Sequence, residues 1–137
     1  MGEIRVKVKI TNAVDEELCR TGRLLKEQVR CYEADAMVDT GAVRSVIPQH
    51  VMRMIGASIR GNRVAEYADG RTESVGLTGP ILFDVMGRDT LEEALVLGDE
   101  VLIGQTVLVK LDLLADRANR RLVPNPAHPD QPVSKVK

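Results

Sequence analysis

The sequence predicts an all-β fold, a barrel or a sandwich, and three observations predict it. Residues 3–11 alternate strictly, with Ile4, Val6, Val8 and Ile10 on one face and Arg5, Lys7 and Lys9 on the other, the period of a half-buried strand. Short apolar runs recur along the chain and are separated by turn residues. Tyr67-Ala68-Asp69-Gly70-Arg71-Thr72 holds an Asp-Gly pair, the strongest short hairpin signal present. The 137 residues suffice for one domain with a real core.

Taken in order, the first strand is followed by a polar stretch, residues 12–22, that reads as a loop. A second strand is expected from about Leu24 to Tyr32, and Ala34 to Val38 forms a more buried one. After a short run from Val43 to Ile47, Pro48 suits the first turn of a helix. Val51, Met52 and Ile55 follow at helical spacing as core-facing residues, and Gly56 suits the helix end. Further strands are expected at Ser58–Ala65, Glu73–Leu77, Ile81–Met86 and Leu91–Leu97. Gly79-Pro80 and Gly87-Arg88-Asp89 mark turns between them. Val101-Leu102-Ile103-Gly104 is an apolar run ending in glycine, with a short helix expected from Thr106 to Lys110. Leu111–Ala115 and Arg121–Val123 flank the turn Asp116-Arg117-Ala118-Asn119. Four of the six prolines lie in the last fourteen residues, so residues 124–137 read as an irregular, mobile tail.

Composition narrows the function classes. Apolar residues make up 44% of the chain and aromatics only 2%, so the core is built from aliphatic side chains. Nineteen basic residues stand against twenty acidic ones, without the basic surplus of a nucleic-acid binder. No apolar run approaches bilayer-spanning length, and the N-terminus has no signal-peptide core. Cys19 and Cys31 form neither a disulfide framework nor a zinc spacing, so both read as ordinary thiols, with Cys31 packed. The expectation is a cytoplasmic protein without a membrane or nucleic-acid partner. His50 reads as a surface residue and His128 as inert, and neither has neighbours in sequence that suggest a metal.

One stretch stands apart. In Ala36-Met37-Val38-Asp39-Thr40-Gly41-Ala42 a carboxylate ends an apolar run, where charge is costly unless paired or functional. A carboxylate that activates water needs a second group to manage the proton. Two carboxylates close together share one proton and titrate as a unit. Thr40 offers a hydroxyl to fix the loop, Gly41 lets backbone amides approach where a Cβ would intrude, and Ala42 keeps a cleft floor open. Asp35 lies on the same strand face about 13 Å away, too far to share a proton. Val38-Asp39-Thr40-Gly41 and Leu102-Ile103-Gly104 echo one another as strands ending in glycine.

These residues resemble the active-site signature of the retropepsin-like (retroviral-type) aspartic proteases. Ser45-Val46-Ile47-Pro48 looks like the segment after that signature. Tyr67 to Thr72 stands where the family has its flap, and Leu102-Ile103-Gly104 looks like its second glycine motif. Lys110 to Pro124 resembles the C-terminal part of small bacterial members. The resemblance implies a small closed β-barrel with one short helix over residues 1–123. It also implies a C2 homodimer with one Asp39 per chain, because the chain holds a single triplet. Asp39 would be catalytic, with Thr40, Gly41 and Ala42 supporting its loop and Thr40 bonding across the dimer. Ala68, Asp69 and Gly70 would form a flap over a peptide or protein substrate, and no cofactor is implied. Three features depart from the family: Gln105 follows Gly104 where arginine is common, the hairpin has one glycine, and residues 1–29 match only generically. Those departures leave a second reading, a non-catalytic dimeric β-barrel that binds peptide or a partner protein.

Overall fold

The computed structural model describes residues 3–136. The chain enters through strand β1 (Ile4–Asn12), whose Ile4, Val8 and Ile10 are buried while Arg5, Lys7 and Lys9 face solvent. Residues 12–22, expected to be a loop, instead contain helix α1 (Ala13–Arg20). The Asn12 side chain caps it by accepting from the Asp15 amide at 2.8 Å, and Asp15 and Glu16 sit in the first turn, both favourable at a helix N-terminus. Asn12 also donates to the Ile55 carbonyl at 2.8 Å. The expected strand at 24–32 is absent. Lys26–Gln28 forms a 3-10 turn, and a single strand β2 (Cys31–Val38) absorbs the predicted Ala34–Val38 segment. Cys31 is exposed, not packed.

Strand β3 (Val46–Ile47) leads into helix α2 (Gln49–Met54), which with Ile55 places Val51 and Ile55 in the core as their spacing predicts. Strands β4 (Ile59–Glu66) and β5 (Thr72–Thr78) form the expected hairpin. Its turn is closed by Tyr67 and Arg71, with Gly70 at φ +89°, a conformation that suits glycine. Strands β6 (Ile81–Val85) and β7 (Arg88–Glu92) pair as a second hairpin, so the expected turn moves to Met86-Gly87. The predicted Leu91–Leu97 strand is divided between the end of β7 and β8 (Leu95–Val96). Then come β9 (Leu102–Ile103), helix α3 (Gln105–Leu111), and the separate hairpin of β10 (Leu113–Asp116) and β11 (Arg121–Pro124).

The main sheet has nine strands in the order β4-β5-β8-β3-β9-β2-β1-β6-β7. It curls as a half-barrel and does not close. β4 and β7 remain edges, which corrects the expected closed barrel, and the three α-helices among the described residues correct the expected single one. Closure fails where it would be needed. β4 carries almost no inward apolar side chain, and β7 is flanked by α3 and the tail. Ile10, Ile47, Ile55, Phe83, Ile103 and Leu111 fill the centre of the core. No helix among the described residues is long and apolar enough to cross a membrane.

Among the described residues the tail beyond Pro124 has no strand or helix, but it is held. The Asp112 carboxylate accepts from the Asn125 side chain at 3.0 Å and the Val133 amide at 3.1 Å, and lies 2.7 Å from His128 Nδ1. Arg88 donates to the carbonyls of Leu111 and His128. His128, expected to be inert, is therefore part of the clasp.

Candidate functional site

The centre of the sheet brings the two glycine motifs together. β2 runs parallel to β9, with Met37 opposite Leu102 and Val38 opposite Ile103, while β9 is antiparallel to β3 through Leu102 and Val46. The loop from Asp39 to Ser45 thus leaves one neighbour of β9 and returns on the other. It is tied to the second motif along its length. The Asp39 amide donates to the Ile103 carbonyl at 2.9 Å, and the Gln105 and Thr106 amides donate to Ala42 and Val43. The Gly104 amide donates to Ser45 Oγ at 2.9 Å, and Ser45 is fully buried. A Cβ on Gly104 would lie 2.6 Å from the Arg44 carbonyl oxygen and 2.9 Å from the Ser45 nitrogen. Only glycine allows that backbone approach without displacing a strand.

Within this loop the Asp39 carboxylate accepts from the Gly41 amide at 3.0 Å, and the Asp39 carbonyl accepts from the Ala42 amide. The turn holds the carboxylate in place and leaves its second oxygen without a hydrogen-bond partner among the described residues. Gly41 is less constrained than the sequence suggests: a Cβ there would stand 3.4 Å from Asp39 Oδ1, an ordinary contact. Thr40 Oγ1 accepts from Arg117 at 2.7 Å, so the β10–β11 turn reaches the loop from 77 residues away. The Thr40 hydroxyl proton stays available for a second bond. Asp35 is exposed on β2, consistent with a solvated strand residue.

A cleft of about 450 Å³ opens between this loop and the β4–β5 hairpin. Gly41, Ala42 and Val43 form one wall, residues 63–67 the other, and Leu95, Leu97 and Leu102 the apolar floor. Ala68, Asp69 and Gly70 sit at the hairpin tip, beyond the lining residues. There the Asp69 carboxylate accepts from the Arg71 amide and guanidinium, both at 2.9 Å. The Arg71 amide and then its guanidinium hold the Asp69 carboxyl below the usual carboxylate range. Arg71 also stacks over the Tyr67 ring at 4.6 Å, and the Tyr67 hydroxyl donates to Glu73, which raises the phenol's pKa. Tyr67 is thus fixed at the head of the hairpin turn and lines the cleft.

Four arginines of this region carry no local sign in the sequence: Arg44, Arg60, Arg63 and Arg117. Each reaches the site through a tertiary contact or a strand irregularity. Among the described residues no three His, Cys, Asp or Glu side chains gather as a metal-ligand group.

No protein-family model matches the sequence, and neither does any curated protein. Among solved structures, the chain is similar to a foamy viral protease-reverse transcriptase solved in complex with an RNA/DNA hybrid. The TM-score is 0.51 at 17% identity, over 77% of this chain and 11% of the viral one. The likeness is one of fold, and this chain spans about a tenth of the viral protein's length.

Proposed function

We propose that the chain is an aspartic endopeptidase that works as a homodimer. One observation carries this reading: Asp39 is fixed on a loop locked to the second glycine motif, beside a cleft walled by a hairpin. The fold likeness to a protease-containing viral protein supports it. One chain supplies one such carboxylate, so Asp39 and the partner subunit's Asp39 would form the pair across a two-fold axis. With one proton shared between them, the ionised carboxylate takes a proton from water as its oxygen bonds to the scissile carbonyl carbon. The protonated carboxylate delivers its proton to the carbonyl oxygen. Collapse of the tetrahedral species breaks the C–N bond: the amine nitrogen takes the proton held by the pair, and one hydroxyl of the gem-diol returns a proton to the pair as the carboxyl product forms. Thr40, Gly41 and Ala42 hold the loop. The hairpin that carries Ala68, Asp69 and Gly70 lies over the substrate.

The test compares the purified protein with Asp39→Asn on a mixed peptide library from acidic to neutral pH. Cleavage by the parent and its loss, by at least about a thousandfold, in the variant is expected. Equal cleavage by both would remove Asp39 from the chemistry.

The second reading is a non-catalytic dimeric module that holds a peptide or partner protein in the same cleft. The observation that favours it is the Arg117–Thr40 bond, which ties the Asp39 loop to the β10–β11 turn of its own chain without a partner subunit. Peptide binding without cleavage by the parent protein would select this reading.

A further inference from the structure

Next to the cleft lies a smaller hollow of about 260 Å³ lined by Arg44, Arg60, Gly61, Arg63, Leu77 and Glu93. It shares Arg44 and Arg63 with the main cleft, so the two adjoin at those side chains. Residues 60 and 63 would lie on opposite faces of a regular strand. They meet here because β4 changes register between Ile59 and Gly61. Arg60 is the extra residue of that bulge, a device that re-aims side chains. Arg44 arrives from the Asp39 loop and forms an ion pair with Glu93 at 3.5 Å. Arg63 donates only to the neighbouring Asn62 carbonyl, and Arg60 makes no side-chain hydrogen bond or ion pair among the described residues. Three arginines and one glutamate therefore line the hollow, and of the three only Arg44 is paired with that glutamate. Glu66, the other acidic residue of the cleft wall, lines only the main cleft. The overall charge is −1, so the positive hollow is a local feature and not a general basic surface.

We infer that the cleft selects peptides with an acidic side chain, seated among Arg44, Arg60 and Arg63, beside an apolar residue on the Leu95–Leu97–Leu102 floor. Planar guanidiniums match carboxylate geometry, and clustered like charge steers an anionic partner inward. The inference rests on the cleft being a peptide site, but it requires no cleavage.

The experiment measures binding of amide-capped peptides to the full chain carrying Asp39→Asn, by fluorescence anisotropy. A Glu-containing peptide is compared with its Gln twin. Capping removes the terminal carboxylate as a competing anion. The Glu peptide is expected to bind about tenfold more tightly, less so at high salt. In Arg60→Gln, at a residue that lines the hollow and not the main cleft, the ratio should fall towards one while the Gln peptide keeps its affinity. That retained affinity separates a lost contact from lost folding. Equal binding of the twins, an unchanged ratio in Arg60→Gln, or displacement by an equimolar single-stranded oligonucleotide would each overturn the inference. Acid-selective binding with no cleavage by the parent would leave the hollow standing and defeat the hydrolase reading. Cleavage without acid preference would do the reverse.

Discussion

At the scale of single residues, the two glycines of the site differ in kind. Gly104 lies against the backbone of Arg44 and Ser45, which cannot retreat without moving the Asp39 loop. Gly104→Ala is expected to cost about 2 kcal/mol of stability through overpacking, seen as a lower denaturant midpoint. Gly41→Ala should leave that midpoint nearly unchanged, because its added Cβ meets only ordinary contact. A similar loss in both variants would show that the close approach at Gly104 does not set the cost. Asp39 and Gly104 were legible in the sequence because each is an exception to its surroundings, an acid and a glycine ending apolar runs. Arg117 was not legible, since its partner Thr40 lies 77 residues away and nothing local marks the pair. Arg60 and Arg63 were hidden by a bulge that breaks the strand period used to read them.

At the scale of elements, strands with regular alternation were readable and strands defined by their neighbours were not. β1 and the β4–β5 hairpin follow from period and turn chemistry. β8 and β9 are two residues each and exist because other strands flank them. Helix α1 was lost to its polarity: it is an edge element held by a cap and an ion pair rather than by an apolar face. Asp15, buried in the first turn of that helix, accepts from the Arg30 amide at 3.0 Å and from its Nε at 2.8 Å. The Arg30 side chain, then its amide, hold the Asp15 carboxyl below the usual carboxylate range. With the folded value depressed, the stabilisation is complete above the unfolded carboxylate's value of about 3.9. It is lost as pH falls through the lower folded value. The melting temperature of Asp15→Asn should thus lie below the parent's at pH 7, and the gap should narrow below about pH 4. A gap that persists at pH 2 would refute the linkage.

At the scale of the whole molecule, the proposed aspartic mechanism, with one Asp39 per chain, would make assembly the main functional variable. If the site is completed by a second chain, specific activity should rise with protein concentration through the dimerisation range and then level off. Activity that stays constant down to concentrations where sedimentation shows only monomer would rule out a shared site. The tail is set by another long-range contact. The Asn125 side chain, with smaller contributions from the Val133 amide and His128, draws the Asp112 carboxyl below its ordinary range despite the opposing effect of burial. Asp112→Ala is expected to release residues 125–133 to limited proteolysis while leaving the sheet intact by circular dichroism.

The β4–β5 hairpin has a further consequence for how the molecule breathes. None of β4 belongs to the buried core, whereas β1 contributes Ile4, Val8 and Ile10 to it. Lifting the hairpin tip therefore exposes little apolar area, and such segments open at free energies well below that of global unfolding. Amide protons of residues 62–66 should exchange with deuterium through this local opening. Those of β1 and β2 should wait for the whole chain to unfold. A bound peptide should slow exchange in the hairpin and leave β1 unchanged, so the cleft's occupancy can be read from one edge strand even when nothing is cleaved.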